Sequence, residues 1–205
     1  DVAVQTGALT EPHTRPDQAE GAEISPQALD HFHTVLGSVA DKPVEIETST
    51  ISAGGSAFSA EDLRSLENEH RDTVTDSDTA SMYVLSLNGP LSDRQGIIGV
   101  AYGGSSFALF LEQNRGLDSA AVERAVLVHE AGHLLALVNV GYESPRDRED
   151  PDHPNHSSNA DSVMHWAVES VSILDALGGG PPDDFDDDDR ADLADIASGA
   201  IVPEF

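Results

Sequence analysis

The stretch LVHEAGHLLALVNVG, Leu127–Gly141, places two histidines four residues apart in an otherwise apolar run, with a glutamate directly after the first. On a helix, His129 and His133 differ by about 40° in azimuth and about 6 Å in rise, so both imidazoles can reach one ion. Glu130 lies about 100° round the helix, at the flank of that ion, where a carboxylate can take a proton from water. The pattern H-E-x-x-H therefore predicts a zinc site with Glu130 as general base and then acid.

The two histidines can also be explained without a metal, as a pair that simply packs on a helix. Both lie in the apolar run 125–138, and a buried glutamate between buried histidines needs polar partners. A metal ion supplies such a partner, so we favour one bound Zn²⁺. The chain contains no cysteine, which leaves histidine nitrogens and carboxylate oxygens as ligands.

The composition is strongly acidic, with 38 Asp and Glu against 10 Lys and Arg and a formal net charge of -28. Nucleic acids and anionic membranes are therefore poor partners, and we expect neither to bind. Such a surface repels itself at low ionic strength and is relieved by molar salt, as in proteins of salt-loving organisms. Neither a membrane span nor a signal-peptide pattern is visible, and we favour a trimmed secreted form over a cytoplasmic one.

Composition and periodicity divide the 205 residues into three parts. Residues 1–23 are rich in Thr, Pro, Gln and Glu without periodicity, and we expect a flexible lead. Residues 24–180 alternate helix-like and strand-like patterns and are expected to form one domain with its own core. Residues 181–205 close the chain with an acidic cluster, for which we expect a solvated tail with a short helix.

Local patterns predict the helices and strands of the central part. An N-cap residue followed by amphipathic spacing predicts helices that begin after Ser25, after Ser59 and after Asp118 or Ser119. Alternating apolar residues predict strands within 43–52, 81–89 and 96–113, the last folded into a hairpin at Gly103 and Gly104. The third helix, expected over about 119–140, carries HEAGH, and the polar stretch 141–161 predicts a long loop.

The motif H-E-x-x-H, followed downstream by a methionine in a tight turn, resembles the metzincins, a family of zinc endopeptidases. In that family the pattern continues H-x-x-G-x-x-H, where the glycine permits a sharp reversal and the last histidine completes the site. This chain has Ala136 at the glycine place and Asn139 at the histidine place. Because alanine disfavours a left-handed backbone, we expect the helix to continue for about one more turn and the third ligand to lie elsewhere.

The stretch HSSNADSVMHW, residues 156–166, places His156 eight residues before Met164. This spacing is similar to the H-C-x4-C-x-M pattern of archaemetzincins, with Ser157 and Ser162 at the places of the cysteines. The resemblance implies that His156 is the third zinc ligand. It also implies that Met164, in a Met-turn at about 162–166, is the hydrophobic floor beneath the metal.

The resemblance also implies a fold and an activity. The fold is α+β, with a twisted mixed sheet packed on the active-site helix and a C-terminal helical subdomain after the Met-turn. Residues 24–180 are then a zinc metallopeptidase domain that hydrolyses peptide bonds with one catalytic Zn²⁺ and acts on a peptide or protein substrate. By fold-level analogy, AYGGSSFALFL at 101–111 is expected to form an edge strand above the cleft, where a peptide can add as another strand.

Other residues remain open as the third ligand. His153 lies in the same polar stretch as His156, and Asp150 or Asp152 offers a carboxylate oxygen that zinc accepts. The arrangement of gluzincins uses a glutamate on a later helix, and Glu169 is placed for that role. We weigh two alternatives against the metzincin-like peptidase: a gluzincin-type peptidase with Glu169 as ligand, and a non-catalytic zinc-stabilised binding or inhibitory module.

Three further predictions concern residues around this motif. Trp166 stands where many metzincins have a tyrosine whose hydroxyl assists the reaction, and indole has no such donor, so we expect it to pack. His165 is the candidate to replace that hydroxyl, although packing is favoured there as well. The acidic run Asp183–Asp189 offers carboxylates to calcium, but it lacks the spacing of an EF-hand loop, so a solvated surface is the favoured interpretation.

Overall fold

The structure is a computed structural model that describes residues 12–40, 43–76, 79–111, 119–170 and 180–204. Within these ranges the α-helices are Pro26–Val39 (α1), Ala60–His70 (α2), Ser119–Leu134 (α3) and Asp187–Ser198 (α4). The strands are Pro12–Ala19 (β1), Glu45–Ile46 (β2), Ser49–Ile51 (β3), Ala80–Leu87 (β4), Gly99–Gly103 (β5), Ser106–Phe110 (β6), Glu149–Asp150 (β7) and His153–Ser157 (β8). A short 3-10 helix covers Trp166–Glu169.

The first two helices begin as their N-cap residues predict. The Ser25 side chain accepts a hydrogen bond from the backbone N–H of Ala28, and a proline occupies the first turn of α1. Ser59 and Asp62 form a reciprocal capping box at the start of α2. Both predicted helices are therefore confirmed, with their starts.

A mixed sheet forms the centre of the molecule, with the strand order β2-β1-β4-β6-β5 and β3 paired with β1. Strands β1, β2, β3, β4 and β6 run parallel to one another. Strand β5 is antiparallel to β6. The hairpin predicted at Gly103 and Gly104 is confirmed, and it makes β5 the last strand of the path. The single strand predicted within 43–52 is instead two short strands, β2 and β3, which both pair with β1.

Strand β1 corrects the prediction of a flexible lead over residues 1–23, of which residues 1–11 lie outside the described part. Its sequence PHTRPDQA is polar and contains two prolines, so it carries no strand signal of its own. Its buried Asp17 accepts a hydrogen bond from the Tyr83 hydroxyl at 2.8 Å and another from Ser49. These partners lie far along the chain, and they make the burial of a polar strand tolerable.

The sheet separates two hydrophobic cores. Successive residues of a strand point to opposite faces, so Val84, Phe107 and Leu109 join the core beneath α1 and α3, whereas Leu85 and Phe110 join the core with α2. On the α1 face, Phe32 meets Phe107 edge to face, with ring centroids 6.5 Å apart. Helices α1 and α3 thus pack against each other on the same face of the sheet. Within the described residues, no helix is long and apolar enough to cross a membrane.

Helix α3 ends earlier than predicted. Its last residue is Leu134, and the chain reverses through Ala136, Val138 and Asn139, whose φ angles are 69°, 55° and 65°. Our expectation that α3 would continue to about residue 140 is therefore wrong. Left-handed backbone costs each of these residues roughly 1–2 kcal/mol. Burial of Leu137 and Val138, which have no exposed surface, offsets that cost.

The Asn139 side chain also stabilises this reversal. Its carbonyl oxygen accepts a hydrogen bond from the backbone N–H of Ser144 at 2.8 Å, and its amide donates to Glu149 at 2.7 Å. Asparagine tolerates left-handed backbone better than most residues because its side chain makes such local hydrogen bonds. The residue at the place of the family's last histidine therefore holds the turn.

The stretches predicted as a loop and as a solvated tail are more ordered than expected. Strands β7 and β8 form a small antiparallel hairpin within 141–161. The C-terminal segment folds into α4, which begins with a capping box between Asp186 and Asp189. After α4, the backbone N–H of Glu204 donates to the carbonyl of Gly141 at 2.7 Å. The segment 180–204 therefore packs on the domain and is not a solvated tail.

Candidate metal centre

Helix α3 places the first two histidines on one face. Their Nε2 atoms are 3.1 Å apart, and their ring centroids are 4.7 Å apart. The Nδ1 atom of fully buried His129 lies 2.7 Å from the carbonyl oxygen of Val163. A carbonyl only accepts, so Nδ1 carries the proton and Nε2 keeps its lone pair, which is the tautomer a metal ligand needs.

The β7–β8 hairpin brings a third imidazole to this pair. The ring centroid of His156 is 5.3 Å from that of His129 and 4.9 Å from that of His133. Its Nδ1 lies 3.0 Å from the carbonyl oxygen of Pro154, and its buried Nε2 has no hydrogen-bond partner among the described residues. Each histidine offers one nitrogen to a group whose members all lie within 4.8 Å of one another.

The three imidazoles fit a zinc ion. With Zn–N bonds of about 2.0–2.1 Å, two ligands at a tetrahedral angle are about 3.3 Å apart, close to the separation within the α3 pair. Burial lowers the pKa of His129 and of His156, and burial with the nearby His156 lowers the pKa of His133 to about 3. All three are therefore neutral near pH 7, and neutral imidazole is the form that binds metals.

A methionine packs against the helix that carries His129 and His133. Met164 is fully buried, and a side chain at Gly132 of α3 would overlap its sulfur. The backbone N–H of Met164 donates to the Ser162 hydroxyl at 3.0 Å, and its carbonyl accepts from the backbone N–H of Ser157 at 2.8 Å. The two serines at the cysteine places of the archaemetzincin pattern thus hold the methionine turn against β8.

Glu130 faces the sheet from the same helix. It has no exposed surface, and neither carboxylate oxygen has a hydrogen-bond partner among the described residues. A Cβ atom on Gly99 of β5 would lie 2.5 Å from Oε1, so only glycine admits this carboxylate. Burial, followed by the charge of Glu169, raises the pKa of Glu130 well above its usual range.

Glu169 approaches the site from the end of the 3-10 helix. Its Oε2 atom is 4.0 Å from His156 Nε2, and its carboxylate forms a second close group with His129 and Glu130. The side chain is 20% exposed. The structure therefore brings both the favoured third ligand, His156, and the alternative ligand of the gluzincin arrangement to one place.

The other candidate ligands lie to one side. His153 stacks on Trp166 with centroids 4.0 Å apart and an interplanar angle of 8°, and its Nδ1 is 3.3 Å from Asp150. Asp150 also accepts a hydrogen bond from the backbone N–H of Asp152, within the β7–β8 turn. His165 Nδ1 accepts from the backbone N–H of Ala167 and caps the 3-10 helix. In this arrangement Trp166 and His165 both have packing or capping contacts, as expected.

The ion pairs that anchor the hairpin were not predicted from the sequence. Arg148, immediately before β7, donates to buried Asp189 at 2.5 Å and to buried Asp192 at 2.7 Å, both on α4. Arg146 pairs with Asp192 as well and with Asp195 at 2.8 Å. Two arginines in an acidic chain were the available signal, because buried acids need such partners.

The acidic run 183–189 has arginine partners instead of a fully solvated surface. Asp183 pairs with Arg124 at 2.8 Å and Asp184 with Arg190 at 2.7 Å, in addition to the pair made by Asp189. Burial raises the pKa of Asp189 to about 6 despite its arginine partner. Calcium binding by this run stays a prediction.

The fold is similar to that of solved protein structures. No protein-family model matches the sequence, and no curated protein matches it. Archaemetzincin from Methanopyrus kandleri superposes with a TM-score of 0.56 at 15% identity, over 95% of this chain and 97% of that chain. The chain has an archaemetzincin-like fold. The predicted fold class, an α+β domain with a mixed sheet packed on the histidine-bearing helix, is confirmed.

Two further solved structures share the archaemetzincin-like fold. A zinc-dependent peptidase from Methanocorpusculum labreanum has a TM-score of 0.51 at 14% identity, over 89% of this chain and 99% of that chain. Metalloproteinase-II from Bacteroides fragilis has a TM-score of 0.50 at 14% identity, over 91% of this chain and 55% of that chain. At such identities the likeness concerns the fold.

Proposed function

We propose that this chain is a zinc endopeptidase in which His129, His133 and His156 hold one Zn²⁺ ion. The observation that carries the proposal is the convergence of three neutral imidazoles beside the buried carboxylate of Glu130. Two of the solved structures with this fold are described as a zinc-dependent peptidase and a metalloproteinase, which supports the same chemistry here. In this proposal Met164 is the floor of a Met-turn beneath the ion.

Glu130 is the proton carrier of the proposed reaction. A bound zinc ion polarises the substrate carbonyl and makes water acidic enough to be deprotonated near pH 7. The Glu130 carboxylate accepts that proton and then donates it to the nitrogen of the leaving amine. Burial between α3 and β5 raises its pKa, so the protonated form is accessible for the second step.

The edge of the sheet offers a place for the substrate. Strand β5 ends the strand path, and its Gly99 lies against Glu130. A peptide that adds along β5 as an antiparallel strand brings an internal peptide bond to the carboxylate. We therefore favour cleavage within a chain over removal of terminal residues.

The proposal is tested by metal content and peptide cleavage in molar salt. We expect the purified protein to hold one zinc ion and to cleave members of a broad peptide library. Glu130→Gln should keep the zinc and lose at least about 100-fold in rate, since general acid-base catalysis contributes at least that much. A wild-type protein that holds zinc and cleaves no peptide would contradict the proposal.

The identity of the third ligand is tested separately. His156→Ala should lose zinc, whereas His153→Ala, in the same hairpin, should keep it because that ring stacks on Trp166. Loss of zinc from Glu169→Ala with retention in His156→Ala would favour the gluzincin-type arrangement instead. A site closed by four protein ligands in the presence of substrate would favour the non-catalytic zinc module.

A further inference from the structure

A second carboxylate lies at the three-histidine group and has no role in the reaction described above. Oε2 of Glu169 is 4.0 Å from Nε2 of His156. The ligand atoms of His129, Glu130 and Glu169 all lie within 4.8 Å of one another. Glu169 thus lies beside two of the three imidazoles, those of His129 and His156.

The distance between Glu169 Oε2 and His156 Nε2 is compatible with two ligands of one zinc ion. Two atoms bound to one zinc ion cannot be further apart than about 4.2 Å, twice a Zn–ligand bond of about 2.1 Å. The separation between Glu169 and His156 is within that limit. An approach of the glutamate oxygen by roughly 0.6 Å would give the ideal tetrahedral separation of about 3.4 Å.

The charges around Glu169 favour a cation at this place. Glu130 has no exposed surface and Glu169 little, and among the described residues neither carboxylate forms an ion pair with a lysine or arginine. The guanidinium of Arg94 acts on both carboxylates only through space, and the residue is exposed. Two adjacent carboxylates with little exposed surface repel each other, and a divalent cation beside them reduces that repulsion.

Backbone contacts outside the hairpin that carries His156 also hold Glu169 in place. The backbone N–H of Ile98 donates to the Glu169 carbonyl at 2.8 Å. Ile97 and Ser170 form an antiparallel bridge beside it. The glutamate is therefore attached to the start of the edge strand along which a substrate would lie.

We propose that Glu169 is a fourth protein ligand of the resting zinc ion and that the substrate carbonyl displaces it. This inference rests on the proposed zinc site and adds to it a means of control. In the absence of substrate, His129, His133, His156 and Glu169 would together hold the ion, and Glu169 would leave it when a peptide binds along β5. Glu169 is a positioning residue in this scheme, since Glu130 carries the proton.

The test compares the wild type with Glu169→Gln and with Glu143→Gln, an exposed glutamate on the preceding loop. Zinc affinity is measured by competition with a chelator, and the Co²⁺-substituted proteins are titrated from pH 5 to pH 9 in the visible range. We expect Glu169→Gln to bind zinc about tenfold more weakly or worse, and Glu143→Gln to equal the wild type. Glu169→Asp should restore part of the affinity.

The spectrum reports the fourth ligand directly. A water molecule in that position ionises near pH 7 and changes the Co²⁺ spectrum, whereas a carboxylate does not. We expect no such change in the wild type and Glu143→Gln, and a change in Glu169→Gln. A wild-type spectrum that changes near pH 7, or an unaltered zinc affinity in Glu169→Gln, would overturn the inference.

The outcomes separate this inference from the proposed function. If the wild type cleaves peptides and Glu169→Gln binds zinc as tightly as the wild type does, the peptidase stands and the fourth ligand does not. If Glu169 proves to be a ligand but no peptide is cleaved, the fourth ligand stands and the peptidase does not.

Discussion

Gly132 leaves room for Met164 to pack against α3. Because a Cβ atom at this position would overlap Met164, we predict that Gly132→Ala destabilises the protein by about 1–3 kcal/mol, as overpacking of a core does. Gly37 in α1 is a matched control, since its Cβ would meet nothing within 4 Å. Gly37→Ala should stabilise the protein by about 0.5–1 kcal/mol.

Urea unfolding of the three proteins measures both effects. Equal stabilisation by the two substitutions would mean that helix propensity alone determines the result and that contact with Met164 adds no cost. A stable Gly132→Ala protein with normal zinc content would contradict the tight packing beneath the site.

The three neutral histidines make the metal-free protein sensitive to acid. Their folded-state pKa values lie below the usual value of about 6.5, so the unfolded chain binds more protons than the folded one as the pH falls below that value. The stability that they contribute is complete above pH 6.5 and is lost as the pH falls toward the folded pKa values. For His133, whose folded pKa is about 3, we predict a slope of about 1.4 kcal/mol per pH unit between pH 6 and pH 4.

Denaturant unfolding of chelator-treated protein from pH 7 to pH 4.5 checks this slope. His133→Gln should reduce it, because glutamine does not titrate. A metal-free protein whose unfolding free energy stays constant between pH 6.5 and pH 5 would show that the histidines are not held neutral.

Among the elements, the reversal after α3 is one whose prediction was wrong. Ala136 adopts a φ of 69°, so Ala136→Gly should remove left-handed strain and stabilise the protein by about 0.5–1.5 kcal/mol. Ala121→Gly in the first turn of α3 should instead destabilise it by about 0.5–1 kcal/mol. Thermal unfolding of both variants gives the sign of each effect, and destabilisation by both would contradict the strained turn.

Local signals predicted the elements that make their own hydrogen bonds. The capping residues Ser25 and Ser59 determined where α1 and α2 begin, and the glycine pair at 103–104 determined the β5–β6 hairpin. The motif H-E-x-x-H and the spacing from His156 to Met164 indicated three histidines whose ligand atoms the structure places within 4.8 Å of one another. These features depend on residues that are close in sequence or on a family pattern.

Elements stabilised by partners that are distant in sequence could not be predicted from local signals. Strand β1 is polar, and it is held by pairing with β4 and by the bonds of Asp17 to Tyr83 and Ser49. The reversal at Ala136 is imposed by the burial of the residues that follow it. Buried Asp189 and Asp192 have the same sequence signature as solvated acids, and only their arginine partners distinguish them.

At the scale of the whole molecule, the net charge of -28 predicts a dependence on salt. Repulsion among the acidic groups destabilises the compact state at low ionic strength, and screening with a Debye length of about 3 Å at 1 M salt removes most of it. We therefore predict that the thermal unfolding midpoint rises by at least about 5 °C between 0.1 M and 2 M KCl. An equal rise in 2 M sucrose would assign the effect to general exclusion from the surface, and no rise would contradict the halophilic interpretation.

The ion pairs between the hairpin and α4 also tie zinc binding to the C-terminal segment. Removing one partner of a buried pair costs about 3–5 kcal/mol, so Arg148→Ala should loosen the hairpin. We predict weaker zinc binding by at least about tenfold, measured with a chelator at high salt. Arg190→Ala is the control, since its pair with Asp184 is exposed and involves no residue of the hairpin.

The same ion pairs have a consequence for protein synthesis. The ribosome makes His129, His133 and His156 before it makes α4, whose Asp189 and Asp192 bind Arg148 at the start of the hairpin that carries the third histidine. A nascent chain that has exposed all three histidines therefore still lacks a firm metal site. In the enzyme proposed here, the hairpin that carries His156 gains its ion pairs only after α4 has been made.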